Sequence, residues 1–340
     1  MSLVIILSLT EDGRPGNFFQ MILSQLIVFL ALLLVALVYY RLAIKFGIID
    51  SPNHRSSHIN PTVRGGGIIF PIAGIFWWMA SDFLHTWMVI GLVWISAISL
   101  MDDMYTLSRK LRFGIQFLAI SMSFYDLGVF EQKPFWTLPI LFFIALGIIN
   151  AINFMDGING ITGLYSLVFF GSILAINRFM PIFEASLIQY IILSILVFLI
   201  FNLRRKALMF AGDIGSISMA YFVIYFLVKW YLASNDWTII LFLLVYGVDS
   251  FLTLGQRLLR GENVALPHRS HLYQLLVNQL KKDHVVISIA FASVQFLLNF
   301  FLFIYPQSFP SPIIASIVLI VSAMVYLLIK KPLQKKFNLI

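Results

Sequence analysis

The chain is a succession of long apolar runs separated by short polar segments. Most runs approach the roughly 20 residues that a helix needs to cross the hydrocarbon core of a bilayer. None shows the period-two alternation, in segments of about ten residues, that is typical of barrel strands. Because lipid offers no partners to backbone polar groups, the pattern predicts membrane-spanning helices. We identify eleven of them, over residues 20–44, 66–81, 86–101, 113–130, 135–153, 160–177, 184–202, 216–234, 237–255, 285–305 and 312–329.

The composition supports the same class of protein. Apolar residues make up 60% of the 340 positions and only 11% are Asp, Glu, Lys or Arg, against about 25% charged residues in ordinary globular proteins. A soluble enzyme is therefore excluded, and we predict an all-α polytopic membrane protein in which residues 1–340 form one domain. The chain has no cysteine, which excludes disulfides, zinc–thiolate sites and thiol catalysis.

The lysines and arginines indicate which loops face the cytoplasm. Eleven crossings place alternate loops on opposite sides, and 19 of the 23 cations fall on one side. The other side holds Arg14, Lys133, Arg178 and Lys229. Because cytoplasmic loops contain the excess of positive charge, the N-terminus and a periplasmic segment 1–19 are predicted outside, and the C-terminus and the long loop 256–283 inside. The apolar first ten residues are too short to span and lack the basic start of a signal peptide.

The first cytoplasmic loop is longer than a connection between two helices requires. It contains Asp50-Ser-Pro, then His58, then Arg64 followed by three glycines up to Gly67. A glycine triplet at a helix start allows backbone N–H groups to approach an anion closely. The loop therefore predicts anion binding, and the alternative is a solvated loop with a flexible joint.

An acidic pair, Asp102-Asp103, ends the third predicted span, with Arg109, Lys110 and Arg112 shortly after it. Adjacent carboxylates at a membrane boundary repel one another, so keeping them together indicates that a metal ion or a transferred proton uses them. The alternative is a pair of interfacial acids that the nearby cations neutralise.

Two further cytoplasmic motifs combine acids, amides and glycines. The first runs from Asn150 to Gly160 and includes Asn153 and Asp156, whose oxygens suit a sugar, a base edge or a hard cation. The second contains Gly212-Asp213, and we interpret Asp213 as an acidic arm aimed at a metal-bound diphosphate. Ordinary helix capping is the alternative for both segments, and it is strong for Asp213.

The loop 256–283 holds His268, Arg269 and His271. Zinc needs more ligands than two histidines supply in a chain without cysteine. Phosphate binding fits better, because Arg offers a bidentate grip and His a donor or proton carrier. A solvated amphipathic helix is the alternative. Asp249, inside the ninth predicted span, is a functional candidate because an acid within the membrane is costly.

Together these segments indicate a Mg²⁺-assisted transfer between a nucleotide diphosphate and a lipid. The main alternative is a transporter or flippase of a lipid-linked or anionic solute, which would place charges at mid-membrane in related halves of the chain. A nonenzymatic membrane scaffold is the third interpretation, and it leaves the acid pair and the glycine-rich turns unexplained.

Five ordered motifs resemble those of a known family over residues 20–330. They are Asp50-Ser-Pro…His58…Arg64-Gly-Gly, Asp102-Asp103…Arg112-Phe…Gln116, Asn153-Phe-Met-Asp156-Gly-Ile-Asn-Gly160, Gly212-Asp213-Ile-Gly-Ser216 and Arg269-Ser-His271-Leu. In these motifs the chain resembles the polyprenyl-phosphate N-acetylhexosamine-1-phosphate transferases, relatives of phospho-N-acetylmuramoyl-pentapeptide transferase.

The resemblance implies transfer of a sugar 1-phosphate from a UDP-sugar to undecaprenyl phosphate, with release of UMP, at the cytoplasmic face of a bacterial inner membrane. It implies Mg²⁺, with Mn²⁺ as the alternative. Asp213 resembles the metal ligand of the family, and Asp102 and Asp103 its catalytic acids. The implied substrate-binding residues are Arg64, Arg112, Asn153, Asp156, Asn202, His268, Arg269 and His271. Membrane lipids are expected partners, a homodimer is the oligomer we consider, and nucleic acid is not expected.

One stretch departs from relatives that transfer N-acetylglucosamine 1-phosphate. Those relatives have a histidine-rich run where this chain has His271-Leu-Tyr-Gln274, and they have Asp where it has His268. The pattern resembles more closely the branch that initiates O-antigen chains, part of lipopolysaccharide, with 6-deoxy-N-acetylhexosamines. We therefore expect a donor sugar of that kind.

Overall fold

The structure, a computed structural model, describes residues 15–50, 61–105, 107–264 and 269–337. Within these ranges, eleven helices of at least 12 residues form the fold, and each coincides with one predicted span. The helices are α1 Pro15–Lys45, α2 Ile69–Ala80, α3 Thr86–Tyr105, α4 Arg109–Asp126, α5 Leu138–Met155, α6 Ile161–Ile176, α7 Ala185–Asn202, α8 Gly212–Ser234, α9 Leu244–Leu259, α10 His284–Asn299 and α11 Pro312–Lys336.

Short helical pieces extend or connect several of these helices. The 3₁₀ turns Gly66–Ile68, Phe135–Thr137 and Trp237–Leu243 precede α2, α5 and α9, and a π-helix Phe300–Ile304 continues α10. Val129–Gln132, Leu272–Gln274 and the π-helix Leu275–Gln279 lie in connections. One small antiparallel pair, β1 Ile49–Asp50 with β2 Thr62–Val63, follows α1.

The predicted class, an all-α polytopic membrane protein, is confirmed. In the described part of the chain, eight helical segments are long and apolar enough to cross a membrane. Two more, Gly66–Ala80 and Ile161–Ile176, are apolar but shorter. The remaining helix, α4, opens with Arg109, Lys110 and Arg112. The number of crossings therefore stays a prediction beyond these eight.

Helix ends differ from the predicted spans where charged residues lie. Helix α3 continues to Tyr105 beyond the predicted end at 101, and α8 begins at Gly212, four residues before the predicted start at 216. A span predicted from hydropathy ends at the first charged residue. The helix itself continues where that charged residue has hydrogen-bond or ion-pair partners in the fold. Asp102, Asp103 and Asp213 consequently lie in helical turns.

Helix α8 is the centre of the molecule. It packs against α2, α3 and α5, and 72% of its most apolar window is buried, against 11% for α1 and α11. Its Tyr221 hydroxyl donates to the carbonyl of Met88 on α3 at 2.9 Å. This central position fixes the first turn of α8, where Asp213 lies.

A buried glutamine stabilises the change from 3₁₀ to α-helix before α9. Gln295 of α10 accepts hydrogen bonds from the Tyr165 hydroxyl (2.7 Å) and the Val245 N–H (3.1 Å), and it donates to the Leu241 carbonyl (2.9 Å). Backbone groups released by an irregular helix need partners in a membrane. The side chain of Gln295 thus provides the hydrogen-bond partners for the backbone that lipid cannot provide.

The two ends of the helix bundle have different polar clusters. At the end that we call the site end, residues from the segments after α1, α3, α5 and α7 contact one another, as described below. At the opposite end, His85 lies 2.6 Å from Asp126 and 3.3 Å from Glu184, and Lys229 lies 2.6 Å from Glu184. Alternate loops therefore meet at opposite ends of the bundle, as spanning helices require.

Candidate active site

The glycine triplet after Arg64 packs against the chain that leads into α8. The N–H groups of Gly66 and Gly67 donate to the carbonyls of Phe210 (2.8 Å) and Ala211 (3.0 Å). A side chain on Gly67 would collide with the backbone of Gly215. The predicted use of the Gly66 and Gly67 N–H groups for anion binding is therefore wrong. The three glycines are buried rather than a solvated joint, and residues 51–60 of the same loop lie outside the described residues. The glycines permit close backbone packing instead.

Asp103, in the last turn of α3, binds the first turn of α8. Its carboxylate accepts the N–H groups of Asp213 (2.9 Å) and Ile214 (3.2 Å) and pairs with Arg64 Nε at 2.7 Å. The Asp103 side chain is fully buried. A carboxylate on unpaired N–H groups at a helix N-terminus is stabilised by those bonds and by the helix dipole. The predicted catalytic acid Asp103 thus makes structural contacts.

Asp102 points to a different partner. Its carboxylate pairs with Arg112 Nη1 at 2.6 Å and accepts the Leu107 N–H at 2.6 Å. The Asp102 side chain is 9% exposed. Neutralisation by a nearby cation, the alternative interpretation of the acid pair, is therefore present for Asp102, and the same ion pair brings Arg112 to the site.

Asp213 has the weakest ionic pairing of the three carboxylates. Arg64 Nη2 lies 3.5 Å from its Oδ1, and Arg112 Nη1 lies 3.9 Å from its Oδ2. Asn153 Nδ2 donates to Oδ1 at 3.3 Å and to the Ser216 hydroxyl at 3.0 Å. The Asp213 side chain is 20% exposed, the most of the three. It is therefore the carboxylate best placed to meet a ligand.

Three predicted carboxylates and two predicted arginines thus converge. Two close pairs, Asp103 with Arg64 and Asp102 with Arg112, leave the charge of Asp213 less compensated. Because both guanidinium groups are about one-third exposed, they are also able to contact an anion. The arrangement suits a polyanion bound with a cation.

The turn after α5 brings further predicted residues to the same end. Asp156 accepts a hydrogen bond from the Thr162 hydroxyl at 2.6 Å. Burial raises the pKa of Asp156 to about 6, against the opposing effect of that hydrogen bond. Asn159 donates to the Arg204 carbonyl at 2.7 Å. The turn therefore joins α5 to the connection between α7 and α8.

Asn202 contacts the backbone. Its Oδ1 accepts the Gly160 N–H at 2.7 Å, and its Nδ2 donates to the Met209 carbonyl at 2.8 Å. The residue is buried. These contacts fix the turn before α6, and a substrate contact of Asn202 stays a prediction.

The segment with Arg269 and His271 docks against the end of α5. The Tyr273 hydroxyl donates to the Phe154 carbonyl at 2.9 Å, and the His271 ring lies 6.2 Å from the Phe154 ring. His271 is buried and Arg269 is partly buried. The predicted residues His58 and His268 lie outside the described residues.

The side chains at the site do not enclose a metal ion by themselves. Within the described ranges, no three acidic or histidine side chains lie at the spacing that would enclose a metal ion. Mg²⁺, however, is usually held by one or two carboxylates together with substrate phosphates and waters. Asp213, partly exposed and loosely paired, fits that manner of binding, because a bound diphosphate would complete the coordination.

Three contributing residues were not predicted as site residues. Ser216 receives the Asn153 amide, Thr162 donates to Asp156, and the Tyr39 hydroxyl of α1 donates to the Arg64 carbonyl at 2.7 Å. Ser216 and Thr162 lie in or next to motifs that the sequence analysis identified. Tyr39 lies among the aromatic residues at the end of an apolar helix, where nothing in the sequence distinguishes it.

An apolar groove of about 370 Å³ lies between α5, α9 and α11. Its lining includes Ile148, Ile152, Val248, Phe251 and Leu319. Ile152 is the last α5 residue of this lining and directly precedes Asn153 in the sequence, whose amide donates to Asp213.

The fold and the site together define a polytopic membrane protein with a carboxylate–arginine centre at one end of its helix bundle. Residues 85–231 match the family model described as "Glycosyl transferase family 4". This range includes α3, α5 and most of α8, and with them Asp102, Asp103, Asn153 and Asp213.

Relatives of known name match most of the chain. It is 27% identical over 280 residues to a probable undecaprenyl-phosphate N-acetylglucosaminyl 1-phosphate transferase of Bacillus subtilis, covering 76% of this chain and 77% of the relative. It is 26% identical over 295 residues to the undecaprenyl-phosphate alpha-N-acetylglucosaminyl 1-phosphate transferase of Yersinia pestis, covering 77% and 78%. The enzyme of that name from Salmonella typhi is 29% identical over 286 residues, covering 75% and 76%. The chain is thus similar to these transferases over about three quarters of its length, which confirms the resemblance predicted from its motifs.

Proposed function

We propose that this protein transfers an N-acetylhexosamine 1-phosphate from a UDP-sugar to undecaprenyl phosphate and releases UMP. The observation that supports this most is the convergence of Asp102, Asp103 and Asp213 with Arg64 and Arg112 at one end of a membrane bundle. The names of the relatives give the acceptor and the sugar 1-phosphate. A carboxylate–arginine centre is the chemistry that a diphosphate with a divalent cation requires.

The reaction breaks the bond between the bridging oxygen and the phosphorus next to the sugar. An oxygen of the lipid phosphate attacks that phosphorus, and the bridging oxygen leaves with UMP, so the product is a lipid diphosphate sugar. We propose direct attack, because the lipid phosphate is already anionic and the site needs mainly to orient it.

We assign different tasks to the three carboxylates. Asp213 faces the donor diphosphate and would hold Mg²⁺, which when bound neutralises phosphate charge. Asp102 is the candidate to accept the remaining proton of the lipid phosphate, because its partner Arg112, 2.6 Å away, also lies 3.9 Å from Asp213, where the donor diphosphate is proposed to bind. Asp103 is a positioning residue that orients the first turn of α8.

The groove between α5, α9 and α11 supports the lipid acceptor. Its lining is apolar and it lies against the exposed face of the bundle. A polyprenyl chain would lie there with its phosphate directed to Asn153 and Asp213, since Ile152 adjoins that turn. Binding energy from the chain would then help to orient the reacting phosphate.

We propose the cytoplasmic face of a bacterial inner membrane as the location of the site. Eleven crossings, with the N-terminus outside and the C-terminus inside, would place 19 of 23 cations on the site side.

The donor sugar is a finer proposal. Relatives are named for N-acetylglucosamine, whereas His271-Leu-Tyr-Gln274 favours a 6-deoxy-N-acetylhexosamine and the initiation of an O-antigen-like glycan. Rates with UDP-N-acetylglucosamine and with UDP-N-acetylquinovosamine or UDP-N-acetylfucosamine test this choice. A clear preference for UDP-N-acetylglucosamine would contradict it and leave the transfer itself intact.

The experiment is release of UMP by purified protein with UDP-sugar, undecaprenyl phosphate and Mg²⁺. We expect Asp213→Asn to lower the rate by at least about 100-fold, because several kcal/mol of charge stabilisation depend on the metal. Asp236→Asn, the same change at the opposite end, is the matched control. Full activity of Asp213→Asn, or activity in EDTA, would refute the metal–carboxylate mechanism. Solute transport without cleavage of the UDP-sugar would favour the transporter.

A further inference from the structure

A buried lysine occurs on α11, one of the two least buried helices of the bundle. Lys330 of α11 has no exposed surface, although only 11% of the apolar window of α11 is buried. Its ammonium group donates to the Thr253 hydroxyl of α9 at 2.5 Å and to the Tyr326 hydroxyl at 2.7 Å. An ionisable group within a membrane is costly, so its partners indicate what it does.

Both hydroxyls connect the lysine to Asp249. Tyr326 donates to Asp249 Oδ1 at 2.7 Å, and Thr253 donates to the same oxygen at 3.1 Å. A hydroxyl that accepts a bond from an ammonium group becomes a stronger donor through its own hydrogen. Lys330 therefore acts on the Asp249 carboxylate through two parallel bridges.

The remaining contacts of Asp249 are with the segment that contains His271. The Leu272 N–H lies 3.1 Å from both carboxylate oxygens, and His271 Nδ1 lies 3.2 Å from Oδ1. Because the hydroxyls and the N–H are all donors, the carboxylate is the acceptor of the imidazole as well. We assign the tautomer of His271 with hydrogen on Nδ1 from this network.

His271 lies beside the proposed active site. Its ring is 6.2 Å from Phe154 and is stacked on Tyr273 at 5.9 Å. The Tyr273 hydroxyl in turn donates to the Phe154 carbonyl, two residues before Asp156. A continuous set of contacts thus runs from α11 through α9 to the turn at the site.

We propose that Lys330, with Tyr326 and Thr253, positions His271 through Asp249, so that the last helix fixes the orientation and tautomer of a phosphate-binding histidine. This rests on the proposed function for the role of His271 in phosphate binding. The positioning of His271 by Asp249 does not itself depend on the proposed function, because their contacts are present whichever ligand the protein binds. A purely structural role, joining α9 to α11, is the alternative that the experiment must separate.

The kinetic experiment compares two neighbouring lysines of α11. Lys330→Met removes the buried ammonium group, and Lys331→Met is the matched control because Lys331 is exposed. We expect Lys330→Met and Asp249→Asn to lower kcat on the order of 10- to 100-fold, by analogy with the losses typical of groups that orient metal-bound histidines. Lys331→Met should stay within about twofold, as an exposed substitution away from such contacts does. Tyr326→Phe, a milder change, should give a smaller loss in the same direction.

A double-mutant cycle separates positioning from general stabilisation. In a His271→Asn background, Lys330→Met should cause no further loss of kcat, because its effect passes through the absent imidazole. Losses that multiply in the double variant would overturn the proposal.

A measurement without substrate distinguishes failure of this proposal from failure of the proposed function. In protein labelled with ¹⁵N-histidine, the His271 signals, assigned by their loss in His271→Asn, should show the Nδ1–H tautomer. They should change in Asp249→Asn and in Tyr326→Phe. Unchanged signals would overturn the positioning role even if UMP release is confirmed. Changed signals in a protein that releases no UMP would support the positioning and refute the transferase.

Discussion

The three carboxylates at the site differ in what compensates their charge. Asp103 receives two backbone N–H groups and a guanidinium, and Asp102 receives one of each. Asp213 receives an amide N–H at 3.3 Å and two guanidinium groups no closer than 3.5 Å. Because ionic interactions weaken with distance and exposure, Asp213 is the least tightly paired of the three carboxylates and the most open to a ligand.

His85 gives a pH-dependent prediction at the opposite end of the bundle. Burial alone would lower the pKa of His85, but its contacts with Asp126 and Glu184 outweigh burial and raise it from 6.5 to about 9. The folded protein therefore gains stability from the protonated ring below pH 6.5 and loses that gain as the pH rises through about 9. We expect the apparent Tm in detergent to fall by about 2–4 °C over this range.

The variant His85→Gln should remove this fall, because no proton is then released on unfolding. Asp126→Asn, which takes away the contact at 2.6 Å, should move the fall to lower pH. Thermal unfolding followed between pH 6 and pH 10 is the measurement. An equal fall in His85→Gln would show that other groups are responsible.

Residue types in motifs were predictable, whereas their partners were not. Asp102, Asp103 and Asp213 were predicted to share one end of the bundle, because each lies next to a loop on the same predicted side. The role of Asp103 was not predictable, because it depends on the N–H groups of a helix more than 100 residues later. Lys330 was grouped with Lys331 as loop charge, because the burial of one of two adjacent lysines is decided by the packing of α11 on α9.

The first turn of α8 is the element on which the site depends. It is held by Asp103 from α3 and by the close approach of the glycine triplet from the segment before α2. Gly65 has φ of +79°, and Gly212, which begins α8, has φ of +71°. Both conformations favour glycine. The local backbone thus fixes where Asp213 lies relative to Asp103 and Arg64.

Substitution of one glycine tests this packing. Gly67→Ala would place a methyl group against the backbone of Gly215 and push the start of α8 away from Arg64. We expect UMP release to fall by at least about tenfold, since small displacements of positioning elements have large effects on catalysis. Gly171→Ala is the control, because a side chain there meets no atom within 4 Å. Equal activity of the two variants would contradict the packing argument.

Helix existence was predictable and helix ends were not. Every predicted span coincides with a helix, because about 20 apolar residues are a strong signal. The ends of α3 and α8 extend past the predicted limits because Asp102, Asp103 and Asp213 find partners there. Pairing between distant segments cannot be predicted from local hydropathy. The wrongly predicted helix ends are therefore those that contain the site residues.

At the scale of the whole molecule, charge and polar clusters divide the bundle into two ends. The site end gathers the predicted motifs, and the opposite end has the compact cluster of His85, Asp126, Glu184 and Lys229. The proposed orientation places the first end in the cytoplasm. Helix α8 carries residues of both clusters, Asp213 at its start and Lys229 near its end.

Absence of cysteine makes this orientation directly measurable. Single cysteines at Arg205, near the site end, and at Gln307, in the segment before α11, would be the only thiols. Both positions are exposed. We expect a membrane-impermeant maleimide to label Gln307→Cys in intact cells whose outer membrane is permeable, and Arg205→Cys only after the inner membrane is opened. The reverse labelling would contradict the proposed orientation.

The central claim is that a phosphate-containing unit is transferred to a lipid. Mass spectrometry of the lipid product, formed by purified protein from a UDP-N-acetylhexosamine and undecaprenyl phosphate, tests it most directly. Our account predicts a lipid whose mass increases by that of the sugar together with one phosphate, with UMP as the other product. A lipid increased by the sugar alone, with release of UDP, or an unmodified lipid in the presence of Mg²⁺ would contradict it.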